Sequence, residues 1–384
     1  MTDARTELFE LLEAAVADGV FPGCVARVWH AGQGLYDEAH GELATHPACA
    51  VQGRRVARDT VFDLASLTKV LSTTLVAAQL VSAGKWSLDQ PVPSTWSLGC
   101  PGATLADLLE HCSGLAAHRE YFGMVEPFDA EKVLHHIVQT PAAYGLRDKA
   151  VYSDLGFIIL GAWIERELDC GLDQRFADSV AFRLAPGGSP VPALAYRPLP
   201  ANEAMARALE SQIAPTEVYD DSLHPGGVPS HFSARKSRAA LAHGEVHDDN
   251  AYVMGGVAGH AGLFGTAEAV LEVAVAWAES RLPDVDTATR DRFWRASTVP
   301  GSTRRLGWDG PSPDGSGCTG GSMSRHAVGH TGYTGTSVWI DPAARGGPLV
   351  CVLLSNRVHP TRDNVAIKEL RRRFHAVAAR MVTP

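Results

Sequence analysis

Residues 62–69 read FDLASLTK, and a long run with the pattern of a buried helix opens at Ser66. Residues three apart lie on the same face of a helix, so the ammonium group of Lys69 can reach the hydroxyl of Ser66. The unpaired backbone N–H groups of a first helical turn favour negative charge. We therefore expect a nucleophilic serine, the cation that activates it and an oxyanion site within one segment.

The Ser-x-x-Lys spacing alone is not specific. It recurs at Ser82 with Lys85 and at Ser233 with Lys236. Ser82 falls at the end of the same predicted helix, and Ser233 lies in a short basic stretch, so neither has a helix N-terminus beneath it. Further motifs must therefore support a role for Ser66.

The composition is that of a globular protein. The chain has 384 residues, 45% of them hydrophobic, which is enough for one large core or two joined ones. Its 34 basic and 43 acidic residues give a net charge of -9 without a basic stripe, which disfavours nucleic acid and anionic membranes as partners. No apolar run approaches the roughly 18 residues of a membrane span, and the N-terminus reads as an amphipathic helix, not a signal peptide. We expect a cytoplasmic protein with a small-molecule partner, and a periplasmic one only if a leader has been removed.

The cysteines predict reduced thiols. There are seven, an odd number, widely scattered and without a Cys-x-x-Cys pair. Cys112 could be argued as a nucleophile, but Ser113 and Gly114 after a helical stretch favour a helix-ending turn there.

Both ends of the chain have α/β character. Residues 23–29 and 35–39 predict a hairpin, 336–340 and 349–355 predict two more strands, and 363–381 predict a final helix. The middle shows helical periodicity, at 104–111 with Thr104 as N-cap, 130–140, 155–168 and 201–211.

This order predicts an α/β domain built from both termini, with a mostly helical domain inserted in it. We place the first at 1–85 and 255–384 and the second at 86–254. The cleft between the two is the natural place for a site, and 212–256 are expected to form long loops over it.

Two more motifs lie in order along the chain. Tyr152-Ser153-Asp154 precedes the helix 155–168, and residues 329–335 read GHTGYTG ahead of the strand 336–340. Each alone is typical of an ordinary helix cap or a glycine-rich turn.

Taken together, Ser66-x-x-Lys69, Tyr152-x-Asp154 and His330-Thr331-Gly332 resemble the penicillin-binding protein and class C β-lactamase superfamily of serine hydrolases. The resemblance runs over roughly residues 10 to 380. Further matching stretches are 62–65, 111–115, where relatives often have His-Thr-Ser-Gly-Leu, and 335–337. Stretches that look like a bacterial esterase-like subgroup with no settled substrate are 213–217, 244–248 and 255–262.

The resemblance implies a fold and a mechanism. The fold is an antiparallel sheet flanked by helices, with an inserted helical domain. Ser66 would form an acyl-enzyme, and Lys69 and Tyr152 would share proton transfer, Tyr152 as a phenolate if a cation holds it. The oxyanion hole would consist of the backbone N–H groups of Ser66 and Tyr333.

The same resemblance implies the substrate contacts. Thr331 would hold a substrate carboxylate or carbonyl, beside His330, Gly332 and Asp154. From the residues alone, His260 is a further candidate for the cleft.

Two positions depart from the family pattern. Many relatives have Asn where this chain has Asp154, and an ionised Asp can only accept hydrogen bonds, so it could instead bind Lys69 or repel an anionic substrate. Relatives with strong β-lactamase activity mostly carry Lys where this chain has His330, which is largely neutral at pH 7. Both changes argue against an efficient β-lactamase.

We therefore expect a serine hydrolase that acts on an ester, an amide or a D-amino-acid peptide. The alternatives are a weak β-lactamase or D,D-carboxypeptidase, and a catalytically silent module that binds penicillin or a cell-wall fragment. A zinc site at His243, His247 and His260 is disfavoured, because Gly244 weakens a helix there. No metal or cofactor is expected, and the sequence does not indicate an oligomeric state.

Overall fold

The computed structural model describes residues 3–96, 99, 101–179, 193–199, 209–219, 223 and 241–382. The strands are β1 (Gly23–His30), β2 (Gln33–Gly41), β3 (Phe62–Asp63), β4 (Leu194–Tyr196), β5 (Leu263–Gly265), β6 (Val328–Thr331), β7 (Ser337–Asp341) and β8 (Leu349–Ser355). The α-helices are α1 (Ala4–Ala17), α2 (Thr74–Ser82), α3 (Leu105–Leu109), α4 (Ala130–Gln139), α5 (Asp154–Leu168), α6 (Leu172–Ser179), α7 (Asp249–Val253), α8 (Ala267–Ala278), α9 (Thr287–Phe293) and α10 (Ile367–Arg380).

The main sheet joins the two ends of the chain. Its strand order is β2-β1-β8-β7-β6, and every pair is antiparallel. The early strand β1 pairs with the late strand β8, with Cys24 opposite Ser355. The predicted hairpin, the two late strands and the final helix are thus all confirmed, and β6 forms one edge of the sheet.

Side chains that alternate along β1 face two separate cores, as the two-residue period of a strand requires. Cys24 and Val28 lie in a hydrophobic cluster with Leu8 of α1 and Phe374 of α10. The intervening Val25 lies in the larger cluster, on the side where α8 packs against the sheet. Burying a large apolar side chain stabilises the fold by roughly 1.5–3 kcal/mol, so helices on both faces hold the sheet in place.

Local caps set the starts of two helices near the site. Thr104 and Asp107 form a capping box at α3, where Thr104 Oγ1 accepts from the N–H of Asp107 at 3.3 Å and Asp107 Oδ2 accepts from the N–H of Thr104 at 2.9 Å. Ser153 caps α5 by accepting from the N–H of Gly156 at 3.3 Å. Both helices begin close to the predicted positions.

A small sheet in the order β3-β5-β4 was not predicted. Its strands have two or three residues each, too few to show a two-residue alternation. In it Phe62 pairs with Gly265, which fixes the chain just before Ser66.

The division into two domains stays a prediction, and the large hydrophobic cluster contains residues of both proposed parts, such as Leu155 and Val352. Most of the predicted helix 201–211 and part of the predicted loops 212–256 lie outside the described residues. Within the described ranges no helix is long and apolar enough to cross a membrane.

Candidate active site

Ser66 lies at the start of a helical run that a sharp turn introduces. Ala65, just before it, has a left-handed backbone with φ of 47°, a conformation uncommon for residues other than glycine. The buried carboxylate of Asp63 stabilises this turn, since its Oδ1 accepts from the N–H of Ala65 at 2.8 Å. The helical run then contains a π-helical turn over Lys69–Thr73 before α2, a distortion often found at functional sites.

Lys69 is fully buried, and its ammonium group has an acceptor for each of its three donors. Nζ donates to Ser66 Oγ at 3.0 Å, to Asp154 Oδ1 at 2.8 Å and to the backbone carbonyl of His260 at 3.0 Å. Burial lowers the pKa of Lys69, but the Asp154 carboxylate and the nearby Tyr152 together outweigh burial, so the net pKa lies above its usual range. Lys69 is therefore an ammonium ion in the resting protein.

Asp154, the first residue of α5, contacts two basic side chains. Its second oxygen, Oδ2, lies 3.6 Å from His118 Nδ1. Burial raises the pKa of Asp154, but the positive charge of Lys69 and the contact with His118 outweigh burial and hold that pKa well below its usual range. The carboxylate thus stays ionised and grips Lys69, as the sequence analysis suggested.

The ring of Tyr152 lies between two cations. Lys69 Nζ is 4.9 Å from the ring centroid, and the guanidinium carbon of Arg304 is 5.2 Å from it. The Tyr152 hydroxyl is buried close to Lys69 and Ser66, but it makes no well-aligned hydrogen bond to any described residue. Burial raises the pKa of Tyr152 by more than Lys69 lowers it, so the resting side chain is a neutral phenol and not a phenolate.

Two neutral histidines pack against Tyr152. His111 lies 4.8 Å and His330 lies 5.7 Å from it, between ring centroids. His111 Nδ1 accepts from the N–H of Ser153 at 3.0 Å, and His330 Nδ1 donates to the carbonyl of Thr331 at 2.9 Å. The remaining ring nitrogen of each, Nε2, is buried without a partner among the described residues. Burial, together with nearby Lys69 and Arg304, lowers the pKa of both histidines well below the usual range.

Two backbone N–H groups are available at the proposed oxyanion hole. Neither the N–H of Ser66 nor that of Tyr333 donates to an atom of the described residues. The adjoining Gly332 has no room for a side chain, because a Cβ there would come within 2.6 Å of the Leu64 carbonyl oxygen.

Threonine hydroxyl groups connect the chain around Tyr333 to the turn that precedes Ser66. Thr334 Oγ1 donates to the carbonyl of Asp63 at 2.7 Å, and Thr336 Oγ1 donates to that of Leu64 at 3.0 Å. On the other side, Arg371 donates to the carbonyls of Gly332 and Thr336 at 2.6 and 2.7 Å. The chain after β6 is thereby held against the turn that carries Ser66.

A cleft of about 800 Å³ gathers these groups. Its predicted lining residues are Ser66, Tyr152, Asp154, His330, Thr331, Gly332 and Tyr333. His118, Asp248 and Arg304 also line it and had not been singled out as site residues. The ring of His260 is buried behind the wall, where Nε2 bonds Asp248 at 2.9 Å, and only its backbone carbonyl reaches Lys69.

The residues considered for a zinc site and for a cysteine nucleophile have other partners. His243 bonds the carbonyls of Glu210 and Ile213, His247 bonds Glu217, and the described part of the chain contains no cluster of side chains able to hold a metal ion. Cys112 is buried beside Asp107, and burial raises the pKa of its thiol to about 12, which leaves it protonated at neutral pH.

The protein has an antiparallel sheet flanked by helices, and a serine, a buried lysine and a tyrosine meet at a cleft near its edge strand. This is the architecture of hydrolases of the β-lactamase and peptidase type. Residues 8–376 match the Beta-lactamase family, and the chain belongs to that family. The resemblance stated from the motifs is thus confirmed.

Similar proteins agree with this assignment. The chain is 28% identical over 379 residues to the N-acetylmuramyl-L-alanine amidase of Bacillus subtilis, covering 91% of this chain and 80% of that protein. It is 28% identical over 328 residues to an Escherichia coli K12 protein provisionally named a D-alanyl-D-alanine carboxypeptidase, covering 79% and 71%. Among solved structures, EstCE1, a hydrolase with promiscuous acyltransferase activity, has a TM-score of 0.70 at 18% identity and covers 97% and 98% of the two chains. Simvastatin synthase from Aspergillus terreus has a TM-score of 0.70 at 19% identity and full coverage of both chains. These two structures bear on the fold alone.

Proposed function

We propose that the protein is a serine hydrolase that forms an acyl-enzyme on Ser66. The observation that carries this proposal is the contact of Lys69 Nζ with Ser66 Oγ at 3.0 Å, beside two backbone N–H groups that donate to no described residue. A carbonyl group placed there meets a nucleophile on one side and donors for its oxygen on the other. A resident cofactor has no part in this reaction.

Proton transfer in this proposal starts from Lys69. The resting ammonium cannot accept a proton, so attack proceeds from the fraction of molecules in which Lys69 is a neutral amine. The amine takes the proton of Ser66 as Oγ bonds to the carbonyl carbon. Tyr152 then gives its hydroxyl proton to the leaving group and recovers one from Lys69. Water releases the acyl group in a second cycle.

One cation of the cleft, Arg304, favours a substrate with a carboxylate. Arg304 lines the cleft and contacts one oxygen of Asp309 at 3.3 Å, which leaves further guanidinium donors available. It supplies the positive charge that His330, being neutral, does not. Together with Thr331 it suits the terminal carboxylate of a peptide. The names of the amidase and carboxypeptidase relatives support an amide or D-amino-acid peptide as substrate, and an ester is the second candidate. The cytoplasmic location stays a prediction.

Intact-protein mass spectrometry after incubation with a fluorophosphonate, and separately with a penicillin, tests the nucleophile. We expect one adduct on Ser66 and none in Ser66→Ala. Ser82→Ala is the matched control, because Ser82 also precedes a lysine by three residues but bonds Asp286 at 2.6 Å. Labelling by both reagents supports a cleft that recognises penicillin, and labelling by the fluorophosphonate alone supports an esterase or amidase. Failure of both reagents favours the silent binding module.

A matched pair of peptides tests the substrate class. A peptide ending in D-Ala-D-Ala is compared with its C-terminal amide, in wild type and in Arg304→Gln. We expect the preference for the free acid to fall roughly tenfold in the variant, because a charge-assisted hydrogen bond is lost. Arg292→Gln, remote from the cleft, should retain the preference. An equal preference in wild type and Arg304→Gln contradicts this role.

A further inference from the structure

His118 is a charged partner of the site that the proposed mechanism does not use. It follows α3 and lines the cleft, and its side chain is 44% exposed, so that the ring exchanges protons with solvent. Its Nδ1 lies 3.6 Å from Asp154 Oδ2, while Asp154 Oδ1 accepts from Lys69 at 2.8 Å. One carboxylate therefore lies between two basic side chains, one buried and one open to solvent.

This arrangement matters because Lys69 must lose a proton before it can accept one from Ser66. All three of its donors are engaged, and Asp154 is the only anionic acceptor among them. The more negative charge Asp154 presents to Lys69, the more firmly the ammonium keeps its proton. A cation that contacts the other oxygen of Asp154 therefore changes how firmly Lys69 keeps its proton.

We propose that His118 is a positioning residue whose protonated ring shares the Asp154 carboxylate with Lys69 and so eases the loss of a proton from Lys69. This inference rests on the proposed acyl-enzyme mechanism. His118 acts through Asp154 and need not touch the substrate.

The surrounding charges are consistent with a protonated ring. Contact with Asp154 raises the pKa of His118, and the negative charges of Asp248 and Glu120 act in the same direction, against the effect of burial. Around Asp154 lie the ammonium group of Lys69 and the ring of His260, and the neutral phenol of Tyr152 adds no charge. The ring of His118 contacts Asp154 Oδ2, and Lys69 contacts Oδ1.

The sign of the effect follows from these charges. When His118 is replaced by a neutral side chain, Asp154 presents its full charge to Lys69, whose pKa rises. The acid limb of acylation then moves to higher pH, because less neutral amine exists at a given pH. Above the pH at which His118 itself loses its proton, wild type and variant carry the same charge at this position, so the two rates converge there.

The experiment measures the rate of Ser66 labelling by the fluorophosphonate between pH 5 and 9, in wild type and His118→Gln. We expect the acid limb of the variant to move up by about half to one pH unit, which lowers the rate at pH 6 roughly three- to tenfold. His135→Gln, an exposed histidine of α4, should leave the profile in place. A merely structural role would lower the rate at every pH alike, and that outcome, or an unchanged profile, overturns the proposal.

A double-mutant cycle tests the route through Asp154. In the Asp154→Asn background, His118→Gln should have no further effect on the acid limb. An equal shift in both backgrounds overturns the proposal.

A measurement without catalysis separates this inference from the proposed function. Titration of His118 by NMR should move to lower pH in Asp154→Asn, and an unmoved titration overturns the proposed contact. If Ser66 is not labelled but the His118 titration shifts, the proposed function is overturned, and with it the role of His118 in the reaction. If Ser66 is not labelled and the titration does not move, the proposed function and the His118–Asp154 contact are both overturned. A labelled Ser66 with an unmoved titration overturns only the inference.

Discussion

Two groups of polar side chains lie at the cleft, and they are paired very differently. In the lysine network (Lys69, Asp154 and His118), each ammonium donor has an acceptor and the carboxylate faces two basic groups. In the aromatic cluster (Tyr152, His111 and His330), one polar atom of each side chain is buried without a partner among the described residues.

The difference separates two tasks. A paired network keeps its charges and geometry fixed in the resting protein. Unpaired buried atoms destabilise the fold by about 1–3 kcal/mol each, and they remain free to bond whatever arrives in the cleft. The lysine network thus sets the protonation state, and we expect a substrate to supply the missing partners at Tyr152 and His330, which line the cleft.

The largest expected effect comes from breaking the lysine network. Lys69→Ala removes the proposed base and leaves Asp154 without its buried partner. We expect the rate of Ser66 acylation to fall by about 10³-fold, as measured by single-turnover labelling, and the melting temperature to fall as well. Lys85→Ala, the lysine of the second Ser-x-x-Lys stretch, should acylate at the wild-type rate. A burst rate unchanged in Lys69→Ala contradicts the role of this residue.

Removing the unpaired hydroxyl should separate activity from stability. Tyr152→Phe should lower acylation by about 10²-fold, while the free energy of unfolding in urea stays within about 1 kcal/mol of wild type or rises.

Tyr196→Phe is the matched control, because the buried Tyr196 hydroxyl donates to Ser72 at 3.0 Å. Its loss should cost about 1 kcal/mol of stability without lowering the rate of acylation. Equal behaviour of the two variants would remove the contrast between paired and unpaired atoms.

Neutralising the shared carboxylate should move the pH profile. Asp154 raises the pKa of Lys69, so Asp154→Asn should shift the acid limb of acylation to lower pH and speed penicillin acylation near pH 6 by about tenfold. Because the pKa of Asp154 is depressed in the folded protein, its carboxylate stabilises the fold at pH values above its unfolded pKa of ~3.9, and this stabilisation is lost as the pH falls through the folded pKa. The variant should lack this acid dependence. Nitrocefin acylation equal to wild type at pH 6 contradicts this electrostatic role.

The smallest effect should come from the scaffold that aligns the oxyanion hole. Thr336→Val keeps the shape of the side chain but removes its hydrogen bond to the Leu64 carbonyl. We expect a loss of about 1 kcal/mol in unfolding free energy and a few-fold lower acylation rate.

In Thr216→Val a buried hydroxyl also loses its bond to a carbonyl, that of Ala242 at 3.0 Å. This control should lose similar stability at full rate. If it slows acylation as much as Thr336→Val does, alignment is not the cause.

Local patterns predicted the parts of the fold that local forces determine. The hairpin, the caps at Thr104 and Ser153, and the late strands show clear periodicity or capping residues, and each was found. The strands of the small sheet are too short for such a pattern, and the π-helical turn at Lys69 has no signature among the side chains that form it.

Only the site residues that belong to sequence motifs could be predicted. Ser66, Lys69 and Tyr152 belong to motifs, and the structure brings Ser66 and Tyr152 to one cleft with the buried Lys69 in contact with both. Arg304 and His118 reach that cleft from segments without regular structure, and only tertiary packing brings them near Tyr152 and Asp154. A lone arginine or histidine in a loop gives no sign of such a neighbour. The ring of His260 could not be placed from sequence either, because its bond to Asp248 turns it away from the cleft.

The pairing of β1 with β8 has a consequence for biosynthesis. Strand β1 leaves the ribosome long before its partner strand β8 is translated. Until β8 emerges, this edge of β1 stays unpaired, and an open edge of this kind invites aggregation. We therefore expect a truncation before β8 to yield insoluble product, although all the catalytic residues proposed here are present.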